Sequence, residues 1–197
     1  MTLFTIALIA IEAIAIILLV DLIAGAVHWA EDTFWTERTP FVGSWLVKPN
    51  IIHHTPEGAN AFLQNHWIHS SWDLFVAGPM ILLATWSAGI LTWQVWTFVL
   101  VGACSQQIHR FSHIAPTQLP RIVKFLQAIY VIQNSRHHWI HHGGGRNEHY
   151  CVITPFLNPV LDRLRFWRAL ERIFVPIFGA PRRTDLYDKE WFPCNTG

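Results

Sequence analysis

The sequence predicts an all-α integral membrane protein with three to four transmembrane helices and a cytoplasmic, histidine-rich cap that binds metal. Three observations carry this prediction. Hydrophobic types make up 52% of the 197 residues and charged types only 14%, against about 25% charged in typical soluble domains. Two long stretches are almost wholly apolar, and the 12 histidines fall into short motifs at their edges or beyond them. The length suits one membrane-embedded domain over 1–197, and the net charge of +1 gives no reason to expect a nucleic-acid partner.

The first span is predicted over about residues 3–25. Only Thr5 and Glu12 interrupt the apolar run over 3–20, and about 20 helical residues are needed to cross the hydrocarbon core. A cleaved signal peptide would have a basic segment before a shorter apolar run, whereas the first cation here is Arg38. Glu12 lies near the middle of the span, where a carboxylate is costly and indicates a functional contact or a protonated side chain.

A second apolar stretch covers 74–104, contains no charged residue and is too long for one ordinary span. The triplet Ser-Ala-Gly at 87–89 is typical of a turn, so the stretch predicts a helical hairpin with spans over about 73–87 and 91–108. A further segment over 119–133 carries two cations. It is interpreted in three ways, as a short span, a re-entrant piece or an interfacial helix.

The Lys and Arg residues orient this arrangement. None of the 14 lies before Arg38 or between Lys48 and Arg110. By the positive-inside rule, the loop over 28–72 and everything after residue 108 face the cytoplasm. The protein is therefore predicted to be integral to a membrane, with its active site on the cytoplasmic face. The membrane is the inner membrane in a bacterium or the endoplasmic reticulum in a eukaryote.

The tail over about 158–179 alternates Leu, Phe and Trp with Arg at helical spacing. This pattern is typical of an amphipathic helix on an anionic leaflet. A surface helix packed on the protein itself is the alternative.

Nine histidines form the candidate metal site. Residues four apart share one helical face, and this spacing separates His109 from His113 and both pairs within the motif HHWIHH at 137–142. Another pair is adjacent in NIIHHTPEG at 50–58, and one histidine stands at the cytoplasmic end of the first span. The nine candidate ligands are His28, His53, His54, His109, His113, His137, His138, His141 and His142.

This set predicts two metal ions, because nine imidazoles exceed the four ligands of a structural zinc site. Neutral imidazole suits iron, zinc and copper, and oxygen activation at non-heme iron requires open coordination positions. A pH-sensing cluster is the alternative without metal. His66, His69 and His149 are candidate additional ligands. Asp21 and Asp32 are candidate carboxylates that accept the second ring N–H of a ligating imidazole.

Other catalytic motifs are missing from the sequence. It contains no H-E-x-x-H, no G-x-S-x-G and no phosphate-binding lysine after Gly143-Gly144-Gly145. Its three cysteines form no C-x-x-C pair, which argues against a disulfide framework and against a cysteine zinc site.

Taken together, these motifs resemble the Kua/CarF lipid desaturases. This family includes plasmanylethanolamine desaturases and a plant plastid trans-desaturase of phosphatidylglycerol acyl chains. The resemblance runs from about Asp21 to Arg172 and rests on DLIAGAVHWAEDTFW, TPFVG, NIIHHTPEG, QIHRFSH, HHWIHH, HYCVITPFLNPVLD and FWRALE. Two positions depart from the family pattern, since Asn60 and Arg146 stand where histidines are expected.

The resemblance implies a membrane-bound di-iron enzyme that removes two hydrogens from a lipid chain. It implies two iron ions held by the nine histidines, a membrane phospholipid as substrate and O2 as oxidant. A ferredoxin- or cytochrome-type protein would donate electrons, because the sequence has no flavin, heme or iron–sulfur motif. The chain could be ether-linked or ester-linked. Alternatives are a di-iron lipid hydroxylase, a zinc-dependent membrane hydrolase, and a carrier of metal or heme.

Overall fold

The protein is represented by a computed structural model that describes residues 2–55, 76–143 and 147–179. Within these ranges the chain forms eight α-helices and no strand, so the predicted all-α class is confirmed for this part of the chain. A five-residue π-helix, Gly43–Val47, leads directly into the second helix. The helices are α1 (Leu3–Thr33), α2 (Lys48–His53), α3 (Gly78–Ser87), α4 (Trp93–His113), α5 (Arg121–Ala128), α6 (Ser135–Gly143), α7 (Leu157–Arg163) and α8 (Phe166–Phe178).

The first helix, α1, has two distinct halves. It begins at a cap in which the Thr2 hydroxyl accepts the N–H of Thr5, and its buried positions start only at Val20. Among the described helices it is the one that is long and apolar enough to cross a membrane, judged by length and composition. The predicted total of three to four spans stays a prediction.

The other predicted membrane segments coincide with shorter or less apolar helices. Helix α3 begins at Gly78, and the start of the predicted span over 73–87 lies outside the described residues. Helix α4 has 21 residues and covers 93–108 of the predicted span over 91–108. Helix α5 has eight residues, a length of only about 12 Å at the α-helical rise. This length is less than half of the ~30 Å hydrocarbon core, and the three interpretations of 119–133 stay predictions.

Helices α1 and α4 pack together along the centre of the molecule. Val20 packs with Val152 and Ile153 in a buried cluster that Phe98 of α4 joins. Farther from this cluster, the Gln94 side-chain amide donates to the carboxylate of Glu12 at 2.9 Å. Gln94 is thus the partner that the costly carboxylate in the first predicted span requires.

An extended segment after α6 fastens α1 to the rest of the fold. The Asp21 carboxylate accepts the backbone N–H groups of Ile153 and Thr154 at 2.8 and 2.9 Å. A Cβ atom built on Gly25 would lie 2.7 Å from the Cys151 sulfur and 3.1 Å from its backbone nitrogen. The absence of a side chain at Gly25 therefore allows the segment to touch α1.

The tail folds as two helices where the sequence predicts one amphipathic helix. The break between α7 and α8 falls at Arg165, whose φ is 54°. Trp167 is buried, with its ring centroid 5.0 Å from that of Tyr150 and 6.3 Å from that of Trp29. The tail is therefore packed on the protein through one face of α8. The apolar side chains Ile173 and Ile177 on that helix are exposed.

Candidate metal centre

Four helices bring histidine side chains from distant parts of the chain to one buried location. Their potential ligand atoms form two groups, within each of which all atoms lie within 4.8 Å of one another. The five-histidine group takes its members from α2, α4 and α6, and the aspartate group from α1, the C-cap of α2, and α6. The five-histidine group is His53, His109, His113, His138 and His142, and the aspartate group is His28, Asp32, His54 and His141.

His138 is the central residue of the five-histidine group. Its Nε2 atom lies 3.0 Å from that of His109, 2.9 Å from that of His113 and 3.0 Å from that of His142. A ring nitrogen has either one N–H or one in-plane lone pair, so His138 Nε2 cannot form all three contacts as hydrogen bonds. Ligation of one metal ion by the four nitrogens would account for such an arrangement.

The spacing of these nitrogens fits ligands of a single ion. With metal–nitrogen bonds of about 2.0–2.1 Å, two ligands lie about 2.9 Å apart at a right angle and about 3.4 Å apart at the tetrahedral angle. The Nε2 separations from His138 are 2.9–3.0 Å, and that between His109 and His113 is 3.4 Å. The donor set is therefore compatible with metal binding.

In the aspartate group, imidazoles surround a carboxylate. Asp32 oxygens lie 3.3 Å from His141 Nε2, 3.6 Å from His28 Nε2 and 3.6 Å from His54 Nδ1. The side-chain amide of Asn50 donates to Asp32 Oδ1 at 2.6 Å. The sequence predicts Asp32 as an outer carboxylate, whereas here its oxygens lie among the donor atoms.

The two groups are neighbours. The consecutive residues His53 and His54 belong to different groups, and their ring centroids are 4.1 Å apart. His54 and His142 approach to 4.8 Å, and His28 and His109 to 5.6 Å, again between ring centroids. This proximity places two potential metal sites side by side.

Backbone carbonyls set the orientation of three imidazoles. Nδ1 of His28 lies 3.1 Å from the Tyr150 oxygen, Nδ1 of His53 lies 2.8 Å from the Asn50 oxygen, and Nδ1 of His141 lies 2.8 Å from the Glu148 oxygen. Because a carbonyl oxygen only accepts, Nδ1 carries the proton in each ring. The lone pair is then on Nε2, which is the tautomer needed for binding a metal through that atom.

Burial keeps two rings of the five-histidine group, His53 and His138, neutral. Burial, followed by the neighbouring imidazoles His109 and His113, lowers the pKa of His53 well below its usual value. The pKa of His138 is lowered in the same way, by burial and then by the same two imidazoles. Both rings are therefore unprotonated at neutral pH, as metal ligation requires.

His137 and His149 lie together outside both groups. Their ring centroids are 4.9 Å apart, and burial, with His149 nearby, lowers the pKa of His137 to about 4. His149 Nδ1 lies 2.7 Å from Asp162, whose carboxylate also accepts the His149 backbone N–H. Glu148, His149 and Asp162 form a third cluster of donor atoms. The backbone of His149 is in the left-handed region, with φ of 59°, and its contacts with Asp162 hold it there.

Three other sequence-predicted residues are accounted for differently. His66 and His69 fall outside the described residues. Asp21 binds the backbone of Ile153 and Thr154, which lie close to the Tyr150 carbonyl that orients His28. Its effect on an imidazole is therefore indirect.

Sequence reasoning missed the groups that orient these ligands. The three carbonyl acceptors have no signal in the sequence, because every residue has a carbonyl. The role of Asn50 could not be predicted either, because nothing in the sequence distinguishes this asparagine, three residues before His53, from any other. The position of Asp32 did have one, because it lies four residues after His28 on the same helix and so on the same face.

An apolar cleft of about 310 Å³ leads to the centre. Residues of α1, α2, α3 and α4 line it, including Val20, Ala24, Phe98 and Gly102. At the end of the cleft are one member of the aspartate group and two of the five-histidine group, which are His28, His53 and His109. The shape and lining are typical of a site for an apolar ligand.

Comparisons with known proteins agree with this chemistry. A family profile described as a lipid desaturase domain matches residues 17–185. The chain is 31% identical to plasmanylethanolamine desaturase 1 of Mus musculus, over 93% of this chain and 70% of the relative. It is 28% identical to plasmanylethanolamine desaturase of Myxococcus xanthus, over 84% and 60%. It is also 28% identical to chloroplastic fatty acid desaturase 4 of Arabidopsis thaliana, over 88% and 54%. No solved structure matches.

Proposed function

Because this chain belongs to the lipid desaturase family, we propose that it is a membrane-bound di-iron enzyme that introduces a double bond into an alkyl or acyl chain of a phospholipid. Its relatives are named as desaturases, and desaturases are oxidoreductases. In the proposed reaction two neighbouring CH2 groups each lose one hydrogen. O2 takes up the two hydrogen atoms of the lipid, two electrons from an external donor and two protons from water, and leaves as two water molecules.

One observation carries this proposal: two adjacent groups of buried donor atoms lie at the end of an apolar cleft. A protein that only stores or carries a metal has no need of such a cleft. A desaturase needs both features, because an unactivated CH2 has no polar group by which it could be recognised. The chain must therefore be positioned by shape and by exclusion of water.

The five-histidine group would hold one iron ion and the aspartate group the other. When bound, the two ions supply O2 activation and the one-electron chemistry that breaks a C–H bond. The protein orients the ligands, since the carbonyls of Tyr150, Asn50 and Glu148 fix three imidazoles with Nε2 free of a proton. Asp32 supplies the one negative charge among the donors of the two groups, and so offsets part of the charge of a bound cation.

The cleft would hold the lipid chain against this centre. Val20 and Ala24 of α1 line the cavity together with Phe98 and Gly102 of α4. These walls offer a hydrocarbon chain no hydrogen-bonding partner and leave water little to bind. The lipid chain would enter the cleft from the bilayer, in which α1 anchors the protein. The metal centre would lie on the cytoplasmic side, where a ferredoxin- or cytochrome-type protein could dock.

The names of the relatives cover both kinds of chain, since some are plasmanylethanolamine desaturases and others fatty acid desaturases. The proposal therefore includes ether-linked alkyl and ester-linked acyl substrates. A host with a defined lipidome that contains both separates them.

The test is expression of the full chain in such a host, followed by mass spectrometry of its lipids and elemental analysis of the purified protein. We expect a lipid two mass units lighter than its precursor, formed only in air, and close to two iron ions per chain. A product carrying an added oxygen atom would indicate a hydroxylase. An activity that persists without O2, in a protein that contains zinc, would indicate a hydrolase. Either result contradicts the proposal.

A further inference from the structure

The apolar cleft follows two helices. On α1 its lining runs from Val20 to Glu31, and on α4 from Phe98 to His109. Each run covers 11 helical steps, about 16 Å at the α-helical rise. His28 and His109 lie towards one end of these runs, so most of the cleft extends away from the metal centre.

Gly102 occupies a special position in this wall. It lies seven residues before His109, which is about two turns or 10 Å along α4. A Cβ atom built there would meet only one heavy atom within 4 Å, the Val20 Cγ1 at 3.9 Å. The backbone does not require glycine here, because φ at this residue lies in the ordinary helical range. A Cβ atom at this position would touch Val20 and meet no other heavy atom, so the further atoms of a larger side chain would extend into the cleft.

We propose that Gly102 is a specificity-determining residue that sets how much of a lipid chain fits beyond the metal centre. This inference rests on the proposed function. The occupant is the methyl-terminal part of the hydrocarbon chain. Apolar side chains such as Ile23, Phe98 and Val99 line the cleft towards its Gly102 end, and a charged head group would not be buried among them. The polar lining residues Glu31 and Asn50 lie at the metal end, near His28 and Asp32. A side chain at residue 102 shortens the cleft and leaves the metal ligands untouched.

The test is a graded series, Gly102→Ala, Gly102→Val and Gly102→Leu, with Leu100→Phe as the matched control. Leu100 lies on the same helix, is 56% exposed and does not line the cleft. Alanine also favours the helix by about 1 kcal/mol over glycine, so the first variant is expected to fold. Each purified full-length variant is given one mixture of phospholipids with short, medium and long saturated chains. The ratio of products within the mixture is then measured, since this ratio does not depend on the amount of folded enzyme.

We expect the ratio of long-chain to short-chain product to fall steadily through the series, by about tenfold or more for Gly102→Leu, since one misfitting methylene in an apolar pocket has an effect of that size. Leu100→Phe should leave the ratio at the wild-type value. A constant ratio across the Gly102 series would overturn the inference.

A second measurement separates this inference from the proposed function. The lipids that co-purify with each variant are extracted and their chain lengths compared by mass spectrometry. If the wild type forms no desaturated product, the proposed function fails. The inference about Gly102 then stands on whether Gly102→Leu retains fewer long chains than the wild type. Equal retention by the two proteins would overturn it.

Discussion

The five-histidine group and the aspartate group lie side by side, yet they are built from different chemistry. The first consists entirely of imidazoles, of which His138 is the common neighbour. The second contains Asp32, whose carboxylate is held by the side-chain amide of Asn50. The first is therefore defined by one central ring, and the second by one charged group and the residue that fixes it.

This difference indicates that two bound ions would not be equivalent. A dication among neutral nitrogens keeps its full charge in a buried site, whereas an ion beside Asp32 has one negative charge to offset it. The five-histidine group has no carboxylate to offset the charge, but it offers an ion five donor atoms, whereas the aspartate group offers four. Substitutions that remove one component at a time should therefore affect the two groups separately.

The largest effect is expected from His138→Ala. This change removes the nitrogen that lies within 3.0 Å of three others, so the five-histidine group should lose its ion and desaturation should fall below detection. Iron per chain, measured by elemental analysis, should drop from about two to about one, as expected when a ligand at the centre of a site is lost.

His137→Ala is the matched control for that change. His137 is the next residue on the same helix, but it lies beside His149 and outside both groups. It should keep both ions and most of the activity. Equal loss of iron in the two variants would show that neither group is a distinct binding site.

The next largest effect is expected from Asp32→Asn. Asparagine keeps the size of the side chain and an oxygen that can accept from Asn50, so the change chiefly removes the charge. The aspartate group should bind its ion far more weakly, and we expect activity to fall about 100-fold, the upper end of the range for groups around a metal site. Iron titration of the metal-free protein should then show one strong and one weak site. Two unchanged sites would mean that the charge of Asp32 has no part in binding.

The two groups contain eight of the nine histidines that the sequence proposes as ligands, but the sequence does not predict how these imidazoles divide between the groups. Spacing of four residues on a helix brings His109 to His113 and His138 to His142, because such residues share one face. The same rule predicts a pair of His137 with His141, yet only His141 enters a group. Whether a shared face points inward depends on packing against other helices, which single-helix periodicity does not contain.

The fold shows the same limit. The helical class follows from composition and apolar runs, and α1 follows from its own sequence. The break in the tail at Arg165 does not follow from the sequence, because no local pattern predicts an arginine in the left-handed conformation. It is favoured only once Trp167 packs on Trp29 and Tyr150, residues from distant parts of the chain.

A smaller effect is expected from Asn50→Ala, which acts on the aspartate group alone. The side chain of Asn50 donates to Asp32, but its backbone carbonyl is the acceptor for His53 Nδ1, and alanine retains that carbonyl. Affinity for the ion beside Asp32 should fall about tenfold, the lower end of the range for groups that orient a ligand. Affinity at the five-histidine group should not change. Weakening of both sites in a metal titration would contradict the separation of the groups.

The smallest effect is expected from Gly25→Ala, which reaches the aspartate group through the backbone. The new Cβ would lie 2.7 Å from the Cys151 sulfur and 3.1 Å from backbone atoms of the same residue, so the segment carrying Tyr150 must move. Overpacking of this kind costs about 1–3 kcal/mol of stability. His28 depends on the Tyr150 carbonyl for its orientation. Thermal unfolding should begin at a lower temperature, and the ion beside Asp32 should bind slightly more weakly.

Gly102→Ala is the stability control, because it makes the same change in a helix with no heavy atom closer than 3.9 Å. If both variants unfold at the same temperature, the contact between α1 and Cys151 is not tight, and it cannot be what positions His28.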